Sequence, residues 1–200
     1  MVPPPSSPHP LRALLDPTGI FSPGVPVIKD DDGVLLPTPF RTSFLTCPAV
    51  NAGHARKCGG TTEAEIADAM RARIATLLAV AAKHDQAHLI LGAFGTGVFK
   101  NAASDVAGMF VQHLTVGGAF YQTFKSVTFA VISADDATSF ASAFHVPIIE
   151  SDAEAAAAYA AFAPPAAGLS ASALEEDAGA DGGGAGGADG SSSPAVATGT

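Results

Sequence analysis

HLILGAFGTGVFK, residues 88–100, carries the clearest signal of the fold in this chain. Its first four residues have the length and the largely apolar character of a buried parallel strand. Glycine then occupies three of six positions, at Gly92, Gly95 and Gly97, and a helical pattern begins at Asn101. A strand, a glycine loop and a helix in this order gather backbone N–H groups and a helix N-terminus around an anion, usually a phosphate. The stretch therefore predicts a phosphate-binding turn.

The loop matches neither common phosphate-binding motif. Lys100 stands where the dinucleotide motif GxGxxG needs its last glycine, and no Gly-Lys-Ser/Thr follows as it would in a P-loop. An unrelated nucleotide-binding protein of either type is therefore disfavoured. The glycines also have a purely structural explanation, because they would let strand and helix pack closely without any ligand. The sequence alone leaves both explanations open.

Strand and helix patterns alternate on both sides of this loop. Thr62 and Glu65 form a capping-box pattern ahead of an amphipathic helix, in which Arg73 lies off the apolar stripe and is expected to be solvated. The next helix has Asn101 as its predicted N-cap, and the last begins at Asp135 or Asp136. Predicted strands are Phe40–Thr46, His88–Leu91 and Val127–Ile132. This order predicts an α/β fold with a mostly parallel sheet flanked by helices and joined by right-handed crossovers.

A hairpin is expected ahead of the α/β region. Two apolar runs, Val25–Ile28 and Val34–Leu36, flank an acidic turn that ends in Asp32-Gly33. An Asp-Gly pair between apolar runs is a strong hairpin signal, and Pro26 would confine the first strand to an edge.

Two loops are expected to meet at one edge of the sheet. In parallel α/β sheets, ligands bind beyond the carboxyl ends of the strands. This rule brings the loop Thr46–Gly53 next to Gly92–Lys100. His54 adjoins the first loop and could touch a ligand there. Spacing alone assembles no Ser/His/Asp or Cys/His catalytic set.

The charge of the chain is unevenly distributed. The 200 residues carry a formal net charge of −9, but residues 1–149 contain eleven acidic residues and all ten basic ones. The other eight acidic residues lie in 150–200, a segment dominated by Ala, Gly and Ser. An almost neutral folded region argues against direct nucleic-acid binding. The composition of the acidic segment predicts disorder.

The chain therefore divides into three predicted segments: a poorly ordered, proline-rich N-terminal arm at 1–19, an α/β domain at 20–149 and a disordered tail at 150–200. Cys47 and Cys58 lack the spacing of a zinc site and are too few for a disulfide scaffold, so free thiols are expected. No apolar run approaches the roughly 20 residues that span a bilayer, and the proline-rich start lacks a signal-peptide core. We expect an intracellular protein, cytoplasmic or nuclear, without membrane contact.

Several motifs occur in an order that resembles one family. They are Phe21–Val27 (FSPGVPV) followed by Asp30–Gly33, Thr46–Gly53 (TCPAVNAG), Leu91–Phe99 (LGAFGTGVF) and Phe129–Val131 (FAV). Between residues 20 and 145 the chain is similar to the microbial-type poly(ADP-ribose) glycohydrolases, whose catalytic domain is a macro-domain fold. Phe94 stands where many relatives have Trp, and Thr96 where many have Cys. The resemblance implies a partial, macro-domain-like fold of three layers.

The resemblance also implies a ligand, namely ADP-ribose or poly(ADP-ribose). We expect no cofactor and no metal. The diphosphate would lie against the backbone of the glycine loop, with Asn51 as a further ligand-binding residue and Phe99 packed near a ribose. The implied loop residues are Gly92, Ala93, Phe94, Gly95, Thr96, Gly97, Val98 and Phe99. Members of the family hydrolyse the ribose–ribose O-glycosidic bond, with a Glu as general acid.

One part of the family pattern is missing. The catalytic signature, a Gly-Gly-Gly run followed by Gln-Glu-Glu, would precede Ser22, but residues 1–21 contain no Glu and no Gly-Gly pair. We therefore expect no catalytic residue in this chain, which resembles the C-terminal half of the family domain as a truncated or a degenerate copy. Two rival hypotheses stay open: a non-catalytic scaffold or interaction domain with an empty loop, and a fragment that needs a complementing chain for the missing N-terminal half.

Overall fold

A computed structural model describes residues 18–151, 153, 154, 157 and 195–199, the last five as backbone only. The predicted N-terminal arm at 1–19 and tail at 150–200 therefore lie largely outside the described residues.

A long antiparallel hairpin opens the described chain. It consists of β1 (Ile20–Lys29) and β2 (Leu35–Thr46). The Asp30 carboxylate accepts the Val34 N–H at 2.8 Å, and Gly33 has a φ of +78°, which glycine adopts without a steric penalty. The predicted hairpin is confirmed, but its strands extend well beyond the two apolar runs.

The placement of Phe40–Thr46 in the parallel sheet is wrong. This segment is the second half of β2 and pairs with β1 as far as Ile20, opposite Thr46. Its aromatic residues are not enclosed between layers, because Phe40 and Phe44 are 53% and 49% exposed. The apolar run therefore belongs to the hairpin rather than to a buried strand.

The main sheet contains four strands in the order β3-β4-β6-β5. β3 (His88–Leu91) and β4 (Ser126–Val131) are parallel neighbours. β6 (Ala195–Gly199) runs antiparallel between β4 and β5 (Ile148–Ile149). The fold is a mixed α/β fold with a small parallel sheet flanked by helices, which confirms the predicted class.

β6 is a five-residue strand within the segment 150–200, most of which lies outside the described residues. Ladder hydrogen bonds use backbone groups, so a run of small residues can complete a sheet with little signal in the side-chain composition.

Four helices complete the described fold. They are α1 (Ala52–Cys58), α2 (Glu63–Lys83), α3 (Ala103–Leu114) and α4 (Ala134–Phe144). The centre of the core is aromatic: the ring of Phe129 on β4 lies 5.2 Å from that of Phe110 on α3 and 4.9 Å from that of Phe140 on α4, centroid to centroid. All three side chains are buried.

The two faces of the sheet differ in exposure. Because successive strand residues point to opposite faces, Leu89 and Phe129 reach the core at 9% and 3% exposure. On the other face Ile90 is 70% exposed, and Ile132, just after β4, is 74% exposed. The second face thus presents apolar side chains to solvent.

Helix α2 begins with the predicted capping box. Thr62 Oγ1 accepts the Glu65 N–H at 3.2 Å, and Glu65 Oε2 accepts the Thr62 N–H at 2.7 Å. The expectation that Arg73 is solvated is wrong: it is 4% exposed, and its Nη1 donates to the carbonyl O of Pro48 at 2.7 Å. The loop before α1 folds over this face of α2 and covers the side chain. No helix in the described ranges is both long and apolar enough to cross a membrane.

Candidate ligand-binding site

The two loops that were expected to meet do so. The Gly53 N–H donates to the carbonyl O of Phe99 at 2.9 Å. Asn101 Nδ2 donates to the carbonyl O of Val50 and to that of Gly95, each at 2.8 Å. The loop after β2 and the loop after β3 are thereby held together, which confirms that they meet, although β2 belongs to the hairpin and not to the sheet that contains β3.

Asn101 is not the predicted N-cap. Helix α3 has Ala102 at that position, without a side-chain cap hydrogen bond. The Asn101 amide instead satisfies one carbonyl in each of the two loops. Its role as a tertiary clamp depends on a contact across 51 residues and has no local signature.

The glycines of the loop have different physical roles. At Gly95, φ is +76°, and a Cβ would lie 2.6 Å from the Cβ of Ala49 and 2.8 Å from Asn101 Nδ2, so close packing requires glycine there. At Gly97, a Cβ would meet no atom within 4 Å. The structural explanation of the glycines therefore holds for Gly95 and fails for Gly97, which borders open space.

The exposed end of the loop has free hydrogen-bond donors. Within the loop, the N–H groups of Thr96, Lys100 and Asn101 donate to loop carbonyls at 3.2 Å each. Among the described residues, no hydrogen-bond acceptor faces the N–H groups of Gly97, Val98 and Phe99. Three consecutive free donors in an exposed glycine-containing turn are suited to bind an anion.

The aromatic residues of the loop are half-buried. Phe94 and Phe99 pack against the hydrophobic core, whereas the Val98 side chain between the free donors is 87% exposed. Phe94 and Phe99 thus each keep part of their surface exposed.

Asn51 lies beside this loop as the N-cap of α1. Its Oδ1 accepts the His54 N–H at 2.9 Å, while its exposed side chain keeps the two amide N–H donors for another partner. The imidazole of His54 turns toward Cys58, with Nε2 3.3 Å from Sγ. Cys58 and the half-buried Cys47 are both free thiols.

A charged group supports the far end of the loop. Arg56 Nη1 donates to the carbonyl O of Lys100 at 2.8 Å, and its Nε and Nη2 donate to both carboxylate oxygens of Glu63 at 2.7 and 2.8 Å. Lys100 has a φ of +58°, a costly conformation for a residue with a side chain. The hydrogen bond from Arg56 helps to hold Lys100 in it.

Both glutamates near the site are held in the ionised form. Hydrogen bonds from Arg56 lower the pKa of Glu63. Hydrogen bonds from the backbone and the hydroxyl group of Thr62 lower the pKa of Glu65. A general acid must carry a proton near neutral pH, so neither carboxylate is suited to that role.

A further carboxylate reaches the loop from α4. Thr96 Oγ1 donates to Asp136 Oδ2 at 2.6 Å, across 40 residues. Asp136 was expected only near the start of the last helix, and its contact with the loop has no signal in the sequence.

Comparison with solved structures identifies the relatives of this arrangement. A single-residue mutant of poly(ADP-ribose) glycohydrolase from Thermomonospora curvata is 43% identical, with a TM-score of 0.58 over 63% of this chain and 48% of that chain. The Deinococcus radiodurans enzyme in complex with ADP-ribose is 35% identical, with a TM-score of 0.59 over 64% and 52%. The chain resembles the bacterial poly(ADP-ribose) glycohydrolases. The family predicted from the motifs is thereby confirmed as the one this chain resembles.

The likeness to the glycohydrolases is partial. The chain spans about half the length of the matched structures. No protein-family model and no curated protein sequence matches it. The Thermomonospora glycohydrolase is also known bound to the inhibitor ADP-HPD. In the present glycohydrolase-like chain, the ligand role of Gly92–Phe99 and of Asn51 stays a prediction.

Proposed function

We propose that this chain binds ADP-ribose through the loop Gly92–Phe99 and does not cleave poly(ADP-ribose) by itself. The main support for binding is that Gly97, Val98 and Phe99 have consecutive free N–H groups. They occur in a chain similar to a glycohydrolase whose structure is known in complex with ADP-ribose. The diphosphate of ADP-ribose has the charge and the oxygen acceptors that such donors recognise. Asn51, on the adjoining loop, would use its free amide N–H groups on a ligand hydroxyl or phosphate oxygen.

Calorimetric titration with ADP-ribose tests the binding. The variant Gly97→Val should lose measurable binding and keep its unfolding midpoint, because a Cβ at 97 would meet no protein atom within 4 Å. Gly108→Ala on α3 is the matched control, since its Cβ would also meet nothing within 4 Å. Absence of heat with the wild-type chain at millimolar ADP-ribose would overturn the proposal and favour a scaffold with an empty loop.

The proposal that the chain does not cleave poly(ADP-ribose) rests on the environment of its carboxylates. Cleavage needs a protonated acid at the leaving oxygen, and the carboxylates of Glu63 and Glu65 are committed to Arg56 and Thr62. Asp136 already accepts a hydrogen bond from Thr96. We expect the purified chain to release ADP-ribose from poly(ADP-ribose) no faster than buffer, as followed by chromatography. Release above the buffer level that is lost in Gly97→Val would contradict inactivity.

A second proposed role concerns the open face of the sheet: it binds a complementing polypeptide equivalent to the part of the matched glycohydrolases that this chain does not cover. Ile90 and Ile132 are 70% and 74% exposed on this face. Beside it, a groove of about 530 Å³ lies between β2 and β3, with Phe21 and Phe44 among its lining residues. Apolar surface of this kind favours association with a partner.

Size-exclusion chromatography tests the second role. The chain is mixed with the uncovered segment of the Thermomonospora enzyme, produced separately. We expect a one-to-one complex that Ile90→Asp weakens and that Val116→Asp, at a position even more exposed than Ile90, does not. Failure of the wild-type mixture to form a complex would rule this role out.

A further inference from the structure

Asp136 occupies a position where a carboxylate normally caps its own helix. Ser133 is the N-cap of α4, and its hydroxyl accepts the Asp136 N–H at 3.4 Å. In the equivalent position of α2, Glu65 turns back to the N–H of its N-cap Thr62. The Asp136 carboxylate instead reaches out of its helix to Thr96 in the glycine loop.

The contact between Thr96 and Asp136 is short and half-buried. Thr96 Oγ1 lies 2.6 Å from Asp136 Oδ2 and 3.2 Å from the carbonyl O of Ala93. A hydroxyl group has one proton to donate, so the shorter contact to a charged acceptor is the stronger hydrogen bond. Partial burial reduces the competition from water.

Thr96 immediately precedes the three free donors of the loop. On the other side of these donors, the Phe99 carbonyl is held by Gly53 and the Lys100 carbonyl by Arg56. The Thr96 hydroxyl is thus the side-chain attachment on the near side of Gly97, Val98 and Phe99. Release of the Thr96 hydroxyl would leave that end of the turn held only by the Thr96 N–H on Ala93 and by Asn101 on the Gly95 carbonyl.

We propose that Asp136 is a positioning residue for ligand binding, which acts through Thr96 to keep the N–H groups of Gly97–Phe99 in a binding-competent arrangement. This inference rests on the proposed binding of ADP-ribose. Asp136 brings a negative charge near an anion site, which opposes the binding of a diphosphate. Its contribution therefore comes from accepting the Thr96 hydrogen bond.

If Asp136 acts by accepting the Thr96 hydrogen bond, substitutions that keep this bond should keep the affinity for ADP-ribose. Asp136→Ala and Thr96→Val each remove the hydrogen bond and should weaken ADP-ribose binding about fivefold, the loss expected for one such bond. Asp136→Asn and Thr96→Ser keep an acceptor and a donor, so both should bind as well as the wild type or better. Asp135→Ala is the matched control, because Asp135 lies in the same helical turn with an exposed side chain.

The double variant Thr96→Val/Asp136→Ala separates this role from a general loss of stability. If the two residues act through one contact, the double variant should lose about as much affinity as either single variant. Additive losses, or an Asp136→Asn variant as weak as Asp136→Ala, would overturn the proposal.

Amide hydrogen exchange measured without ligand keeps the inference testable on its own. Asp136→Ala should speed exchange about fivefold at the N–H groups of Thr96 and Lys100, which donate to the carbonyl O of Ala93 and of Gly97, while exchange within α4 stays unchanged. If the wild-type chain binds no ADP-ribose but Asp136→Ala still speeds loop exchange, the proposed function is overturned and the positioning of the loop by Asp136 stands. If the wild-type chain binds ADP-ribose but Asp136→Ala leaves loop exchange unchanged, the positioning role is overturned and the proposed function stands.

Discussion

The side-chain amide of Asn101 lies 2.8 Å from the carbonyl O of Val50, a residue with no exposed surface. This hydrogen bond joins the loop that precedes α1 to the loop that follows β3. It fixes the relative position of the two segments from which the candidate ligand site is built.

The first prediction concerns this clamp. Asn101→Ala leaves the carbonyls of Val50 and Gly95 without their side-chain donor and should lower the free energy of unfolding by about 2 kcal/mol. Gln112→Ala, at an exposed amide on α3, should change it by less than about 0.5 kcal/mol. Urea denaturation followed by circular dichroism measures both, and equal values for the two variants would refute the clamp.

The second prediction separates two glycines of the same loop. Gly95→Ala combines a left-handed backbone with overlap against Ala49 and should destabilise the fold by about 2–4 kcal/mol. Gly92→Ala should be nearly neutral, because its Cβ would lie at an ordinary 3.8 Å from the carbonyl O of Ala130. Thermal unfolding of the two variants provides the comparison. A Gly95→Ala protein as stable as Gly92→Ala would show that the loop relaxes freely.

The third prediction is a pH dependence. Arg56 lowers the pKa of Glu63 in the folded chain relative to the unfolded chain. The ion pair therefore adds stability above the ordinary glutamate pKa of about 4.3 and loses it as the pH falls through the folded value. Unfolding midpoints should differ between wild type and Glu63→Gln at neutral pH and converge in acid. A difference that persists unchanged below that range would contradict this origin.

The fourth prediction concerns the thiols. Burial raises the pKa of Cys47, and the positive charge of Arg73 only partly opposes this effect. Because the thiolate is the reactive form, iodoacetamide at neutral pH should label the exposed Cys58 first. Peptide mass spectrometry gives the order, and Cys58→Ser leaves Cys47 as the single target. Faster labelling of Cys47 would contradict the assignment.

Local patterns in the sequence predicted a good part of this structure. The capping box of α2 and the Asp-Gly turn of the hairpin involve residues within a few positions of each other, so short-range chemistry specifies them. The two loops do lie together, as the hydrogen bond from Gly53 to Phe99 shows, although the rule that predicted this had placed β2 in the parallel sheet and β2 belongs to the hairpin. The resemblance to the glycohydrolases followed from ordered motifs and agrees with the solved structures.

The errors arose where a partner distant in the chain decides the outcome. Phe40–Thr46 has the pattern of a strand, but pattern alone does not say which strand it pairs with. Arg73 looked solvated because the residue whose carbonyl it binds, Pro48, lies 25 residues earlier in the chain.

Local periodicity and motif order were enough to predict a glycine loop after a strand and the likeness to a known family. The three-dimensional packing was needed to distinguish Gly95, where close contacts require glycine, from Gly97, which borders open space. It also assigned Asn101 and Asp136 to the glycine loop, through contacts that span 51 and 40 residues. The physical reason is that a hydrogen bond between distant residues follows from the whole packing arrangement, which no local pattern encodes.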